Sequence, residues 1–297
     1  MHTIQSFTRQ CRELQSRYRE SIGEPMGVGP FRSSRHLQIS MIKNGELTGK
    51  NFLTPFAFEY AKQRISGKQK NETIEEYRLF NNLLSSQPMA FNLFCPLIQM
   101  MQDGNGAAVT QIVQAIFPQR AIGRVTEVGL EYLHTDIDNY LGDKTAMDAI
   151  IRYQDVHGHP CIIAIETNYT DALGENSASR TERQKALIRQ LGYFQSEAEV
   201  MLLEGLKAIS QIYRNFLLTE CYRIKEPAHE AYSVVLAPKD HPTTKQEVAS
   251  LREELKEEYR YKVLDISLEY FVEQILSVCP EEFQKPFLDF KDRYLRF

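Results

Sequence analysis

Cys161-Ile-Ile-Ala-Ile-Glu-Thr-Asn-Tyr169 is the stretch on which the fold turns. It is short, rich in β-branched residues and preceded by Gly158 and Pro160, a combination that predicts a strand. Residues two apart along a strand point to the same side, so Ile162, Ala164, Glu166 and Asn168 are expected on one face and Thr167 on the other. An acid on such an apolar strand demands a reason, because a buried carboxylate is costly unless it is paired or metal-bound.

Moving outward, two earlier segments share the period of two: Val125-Thr-Glu-Val-Gly-Leu-Glu-Tyr132 and Ala146-Met-Asp-Ala-Ile-Ile-Arg-Tyr153. Gln154 to Pro160 (QDVHGHP) suits a turn, so the second and third strands are expected to form an antiparallel hairpin. Asp148 then lies on the strand beside Glu166, with 17 residues between them, and normal pairing lets both carboxylates converge on one cation. Downstream, Leu206, Ile209, Ile212, Tyr213, Phe216 and Leu217 line one face of a helix, and Tyr232 to Leu236 is a fourth strand ended by Pro238.

The flanks are helical. Ile4, Phe7, Cys11, Leu14 and Tyr18 recur at helical spacing, and after the breaker-rich loop Gly23 to Pro30 a second helical stretch follows Asn71 to Thr73 through Ile74, Tyr77, Leu79, Phe80, Leu83 and Leu84. Ser85 to Met101 is apolar on nearly every side and predicts a buried helix, interrupted near its prolines. Its polar exceptions, Gln87 and Asn92, either satisfy neighbouring backbone or face a polar site. Thr244 to Lys262 predicts a charge-rich helix and Ile266 to Val278 another. The economical description is an α/β chain with a helical extension over 1–74, a core over 75–245 and C-terminal helices over 246–297, all in one domain.

Composition narrows the class of function. With 42% hydrophobic and 25% charged residues the chain is an ordinary globular protein, and no run approaches the roughly 20 apolar residues of a membrane span. The N-terminus lacks a secretory pattern, so a cytoplasmic location is expected. Five widely spaced cysteines with no C-x-x-C pair fit reduced, buried thiols. A net charge of −4 argues against a non-specific nucleic-acid coat, although a local basic cleft can bind phosphates on an acidic molecule. Asp103-Gly-Asn-Gly106 lacks the third acid of a calcium loop and is a turn. His157 and His159 flank Gly158 at the hairpin tip with no third metal ligand in sequence reach. No G-x-S-x-G elbow and no G-x-x-x-x-G-K-[ST] loop is present.

Four blocks, in order, carry a resemblance: Ser85-Ser-Gln-Pro-Met-Ala-Phe-Asn-Leu-Phe94, Tyr140-Leu-Gly-Asp-Lys-Thr-Ala-Met-Asp148, Ile163-Ala-Ile-Glu-Thr-Asn-Tyr-Thr-Asp171 and Gln211-Ile-Tyr-Arg-Asn-Phe-Leu-Leu218. Across about residues 75 to 245 the chain resembles a bacterial family of PD-(D/E)XK, restriction-endonuclease-like nuclease proteins. The resemblance implies an αβββαβ core with a central mixed sheet, the element order already given by periodicity. It also implies that Asp148 and Glu166 are metal ligands, with the Thr167 carbonyl a third, and that Glu131 supplies another acid, Glu127 being the alternative. Gln211 and Arg214 correspond to polar positions facing the site or a phosphate backbone; the competing reading of Arg214 is an ordinary salt bridge. The expected ion is Mg²⁺ or Mn²⁺, which takes oxygen ligands and activates water, and the expected substrate is DNA, with a homodimer favoured by double-strand cleavage.

Asn168 departs from the motif, which reads Glu-x-Lys: an amide brings no positive charge and cannot act as a base. Three explanations compete: a degenerate site that still binds metal, another lysine such as Lys144 or Lys185 reaching in, or an introduced substitution. The functional expectations are correspondingly two: a metal-dependent DNA phosphodiesterase in restriction, repair or defence, or a non-catalytic nucleic-acid-binding or assembly subunit on the same fold.

Overall fold

The computed structural model describes residues 3–29, 38–68, 72, 74–132, 137–142, 144–171, 175–176, 181–207 and 209–296. Five strands form one sheet: β1 (Ile122–Tyr132), β2 (Met147–Asp155), β3 (Pro160–Thr167), β4 (Glu230–Ala237) and β5 (Val263–Ser267). Their spatial order is the order in the chain; β1, β2 and β3 are antiparallel neighbours, whereas β3, β4 and β5 run parallel. The chain therefore belongs to the mixed α/β class with a central mixed sheet flanked by helices, consistent with a restriction-endonuclease-like fold.

Alternation along β2 and β3 divides the interior into two cores. Ala149, Ile151, Ile163 and Ile165 face a core built with α4 (Ser86–Gln102) and α5 (Gly106–Ile116). Helices α1 (Ile4–Ser21), α2 (Pro55–Ser66) and α3 (Glu76–Asn81) contribute to that side, as do the late helices α10 (Leu268–Val278) and α11 (Glu281–Tyr294). Ile150, Ile162 and Ala164 face the other core, against α8 (Gln211–Lys225) and α9 (Thr244–Glu254), with α6 (Glu182–Leu191) and α7 (Ser196–Glu204) at its edge. The chain ends are tied in: buried Arg293 donates to Gln15 Oε1 at 3.1 Å and to the Asn51 carbonyl and Oδ1 at 2.7 and 2.6 Å. All five cysteines are free and buried.

Several local expectations are corrected. The apolar helix α4 runs unbroken through Pro96: Ser85 caps it, accepting from the Gln87 N–H at 3.2 Å, and Pro88 falls in the first turn, where a missing N–H costs nothing. Pro96 removes one intrahelical bond, a loss that packing on all sides tolerates. Helix α3 covers only Glu76–Asn81, leaving Ile74, Leu83 and Leu84 outside it, and Asn71 and Thr73 lie outside the described residues. Leu206 is exposed and Ile209 pairs with Asn176 in a two-residue ladder, so α8 begins only at Gln211. The charge-rich helix stops at Glu254, and Val263–Ser267, expected to be helical in part, is strand β5. Five residues between two helices are too few for their own period to stand out.

Candidate active site

Asp148, Glu131 and Glu166 occupy one level of three neighbouring strands. Ala149 pairs with Ile165, so Asp148 and Glu166 are the next facing positions of the hairpin. Leu130 pairs with Ala149 and Tyr132 with Met147, which sets Glu131 level with Asp148 on the other side. Glu131 takes φ of 47°, a left-handed backbone rare outside glycine and costing about 1–3 kcal/mol. Its carboxylate is buried on the side of Asp148, whereas the preceding Leu130 points into the apolar core.

Each acid is held by a neutral donor. Asp148 Oδ2 accepts from the Thr167 N–H and hydroxyl, both at 2.8 Å; Glu131 Oε1 accepts from Gln87 Nε2 at 2.8 Å; Glu166 Oε2 accepts from Asn215 Nδ2 at 2.5 Å. Helix α8 supplies a relay behind Glu166, in which Arg214 donates to Gln211 Oε1 and Gln211 Nε2 donates to Asn215 Oδ1 at 3.4 Å. Ser85 ties the opposite wall together, because its hydroxyl both caps α4 and accepts from Arg78 Nε at 2.8 Å.

Burial raises all three carboxyls, and the Asp148 charge raises Glu131 and Glu166 further. Burial followed by the Asp148 charge pushes Glu131 up to about 8. Glu166 is driven well above the carboxylate range by burial, then by Asp148. Asp148 is raised by burial, partly offset by its bonds to Thr167 and by the Arg78 guanidinium. Among the described residues these acids do not form a closed three-acid cluster. The set of three Asp, Glu, His or Cys ligand atoms that lies within 4.8 Å is elsewhere, at Asp155, Cys161 and His229.

A polar cavity of about 440 Å³ opens over this level, lined by Glu75, Arg78, Ser86, Gln87, Glu131, Lys144, Thr145, Ala146, Asp148, Gln211 and Arg214. Six of these positions were singled out by sequence: Gln87, Glu131, Lys144, Asp148, Gln211 and Arg214. Arg78 was not, because its approach depends on Ser85 and on its ion pair with Asp171 at 2.9 Å, neither of which leaves a local pattern. Asp143, in the same block as Lys144, lies outside the described residues.

The helices account for the rest of the sequence-selected set. Gln87 faces the acids, whereas Asn92 is structural: it accepts from the Leu53 N–H at 2.7 Å and donates to the Asn51 carbonyl and the Tyr294 hydroxyl. Arg214 has no carboxylate partner among the described ion pairs, and its Nε is buried without a hydrogen bond. Lys185 is turned to Glu182 at 2.7 Å on α6, away from the cavity lining, so of the two lysines only Lys144 reaches it. Glu127 pairs with Arg152 at 2.9 Å and is exposed; it shares the strand face of Glu131 but lies four residues, about 13 Å, further from the level of Asp148.

Asn168 is the main correction. Strand β3 stops at Thr167, so strict alternation no longer carries Asn168 onto the face of Glu166. Its N–H donates to the Leu236 carbonyl at 2.8 Å, its Oδ1 accepts from the Asp171 N–H at 3.0 Å, and its Nδ2 donates to the Asp171 carbonyl at 2.8 Å. Nδ2 also lies 3.3 Å from Nε2 of buried His241. Asn168 is thus a fully buried turn residue absent from the cavity lining.

The match to a family model of the PD-(D/E)XK nuclease superfamily covers residues 3–296. The chain belongs to the PD-(D/E)XK nuclease superfamily. Searches among curated proteins and among solved structures each gave no match. PD-(D/E)XK nucleases generally use divalent metals, and the donor set here suits a hard cation: carboxylate oxygens on adjacent strands, with one oxygen of each taken by a protein donor. In this PD-(D/E)XK chain the level of Glu131, Asp148 and Glu166 also lies at the carboxyl end of β3, the end of a parallel strand where α/β sheets place ligands.

Proposed function

We propose that the protein is a Mg²⁺-dependent nuclease that hydrolyses DNA phosphodiester bonds at the Glu131–Asp148–Glu166 level. The observation that carries this reading is the placement of three acids at one level of adjacent strands, with Glu131 and Asp148 lining a polar cavity that also holds Lys144, Arg78 and Arg214 and with Glu166 opposite Asp148 in the hairpin. The Asp148 charge raises both Glu131 and Glu166, a repulsion that a divalent cation would relieve.

Asp148 and Glu166 would hold the ion with the Thr167 carbonyl, since the Thr167 N–H faces Asp148 and a strand residue turns its N–H and C=O to the same neighbour. The bound ion supplies Lewis acidity and an acidified water. Thr167 and Asn215 fix the carboxylate orientations, and Gln87 holds Glu131 beside Asp148, where a carboxyl raised to about 8 can exchange a proton with water in the cavity. Lys144, Arg78 and Arg214 bring to the cavity wall the positive charge that Asn168 lacks, and they would bind phosphate oxygens. A role in restriction, repair or defence is consistent with this chemistry, within a single domain over 1–297, and double-strand cleavage would favour a homodimer.

The burial of Asn168 away from the cavity favours a second reading, a non-catalytic DNA-binding or assembly subunit. One experiment separates the two. Plasmid and oligonucleotide DNA are incubated with the protein in Mg²⁺ or Mn²⁺, alongside Asp148→Asn and Glu166→Gln. Metal-dependent cleavage lost in both variants supports the nuclease. Salt-sensitive DNA binding with no turnover, unchanged in both variants, would replace it with the second reading.

A further inference from the structure

The opposite end of the β2–β3 hairpin holds a second set of side chains with a different chemistry. Asp155 closes the turn: its Oδ1 accepts from the His157 and His159 N–H groups, both at 2.8 Å, which leaves Oδ2 facing outward. Oδ2 lies 3.1 Å from His159 Nδ1 and 3.9 Å from His229 Nδ1. His229 precedes β4 and is pinned there by its N–H, which donates to the Pro160 carbonyl at 2.7 Å. Its ring centroid is 4.8 Å from that of His159. Cys161 follows on β3, buried, with its thiol reaching the His159 carbonyl at 3.7 Å. One ligand atom each from Asp155, Cys161 and His229 falls within 4.8 Å of the others.

We propose that this hairpin end is a transition-metal site of the zinc type, with Asp155, Cys161 and His229 as its protein ligands, solvent at the fourth position, and His159 holding Asp155 Oδ2 by a hydrogen bond. Zinc bonds of about 2.0–2.3 Å in a tetrahedron separate ligand atoms by about 3.5 Å, so the Asp155–His229 pair at 3.9 Å is already near that spacing and the Cys161 sulfur, within 4.8 Å of both, needs an approach of about 1 Å. Mixed nitrogen, sulfur and oxygen donors select a borderline cation over Mg²⁺, which prefers oxygen alone. On binding, the Cys161 S–H bond breaks, the proton passes to solvent and the sulfur lone pair takes the metal. The ion would clamp the hairpin to the start of β4. Cys161 and Glu166 are five residues apart along β3, about 17 Å, so this site is distinct from the candidate active site and independent of the nuclease reading.

The test uses the full chain, stripped with chelator and titrated with Co²⁺. The expected result is a thiolate-to-cobalt charge-transfer band, abolished by Zn²⁺ and unaffected by Mg²⁺. Cys161→Ser should abolish that band and weaken binding roughly 100-fold, and His229→Gln, at an exposed side chain that leaves the fold intact, should weaken it roughly 10-fold. No thiolate band at saturating Co²⁺, or a band that persists in Cys161→Ser, would overturn the proposal and leave Asp155 as a hairpin cap paired with histidine. The acids of the candidate active site offer no sulfur, so Co²⁺ bound there cannot mimic the signal.

Discussion

Replacing Glu131 with glutamine should stabilise the metal-free protein near neutral pH and leave it almost unchanged in acid. The folded state raises this carboxyl from 4.5 to about 8, through burial and the Asp148 charge. A group whose folded pKa is raised favours folding fully below its unfolded value, and that contribution drains away as pH climbs through the folded value. The window therefore runs from about 4.5 to about 8. At about 1.4 kcal/mol per pKa unit, the ionisable glutamate costs about 3 kcal/mol at around pH 7 and under about 0.5 kcal/mol near pH 4.5. Glutamine keeps the acceptor for Gln87 Nε2 and the same length, so the comparison isolates the proton. Urea denaturation of both proteins in chelator, at the two pH values, gives the difference directly. Glu131→Gln should gain about 3 kcal/mol at the higher pH only. An equal difference at both pH values, or a less stable variant at the higher one, would refute the coupling of Glu131 to its neighbours.

The same geometry fixes three further outcomes. Mg²⁺ should raise the melting temperature of the parent protein and have no effect on the Asp148→Asn, Glu166→Gln double variant, read by calorimetry with and without chelator; equal shifts in both would place the ion elsewhere. Asn168→Lys, which restores the motif on paper, should lower stability by about 2–4 kcal/mol and add no cleavage, because it deletes the two bonds to Asp171 and drives a charge against His241. Faster cleavage by a protein of unchanged stability would show that the lysine can swing into the cavity. Lys144→Ala should weaken DNA binding or turnover at least about 10-fold at unchanged melting temperature, since its side chain is exposed at the cavity, while Lys185→Ala should behave as the parent.

What was legible in the sequence is what periodicity and spacing encode. Alternation gave β1, β2 and β3, and the Gly158-Pro160 turn gave the hairpin that sets Asp148 beside Glu166. Strand β5 escaped because Val263–Ser267 is shorter than the helices on either side. Position in the site was less legible, since it depends on contacts between distant segments. Gln87 and Asn92 are buried amides on one helix, yet one meets Glu131 and the other meets Asn51 and Tyr294, a difference set by what sits across from each. Glu127 and Glu131 share a strand face, and the residue opposite each separates their fates: Arg152 neutralises Glu127, whereas Glu131 stands level with Asp148. The residue that sequence could not set beside His159 is His229, whose ring the parallel pairing of β4 with β3 brings to a centroid distance of 4.8 Å.

Asn168 changes meaning in this light. On an ideal strand it sits two residues past Glu166, and its amide reads as a lysine lost from the catalytic face. The strand ends one residue earlier, and the amide instead closes a turn with Asp171, whose carboxylate holds Arg78 at 2.9 Å. Arg78 in turn lines the cavity and lowers the pKa of Asp148. A lysine at 168 would break this turn, whereas asparagine keeps Asp171 in place to hold a guanidinium at the acids. If the site is catalytic, its positive charge has therefore moved off β3, to Arg78 on α3, Arg214 on α8 and Lys144 before β2. Asn168→Ser, Arg78→Gln and the double variant form the decisive cycle. Coupling through Asp171 makes the two losses of turnover non-additive by about 1 kcal/mol or more, whereas additive losses would mean that Asn168 serves the fold alone.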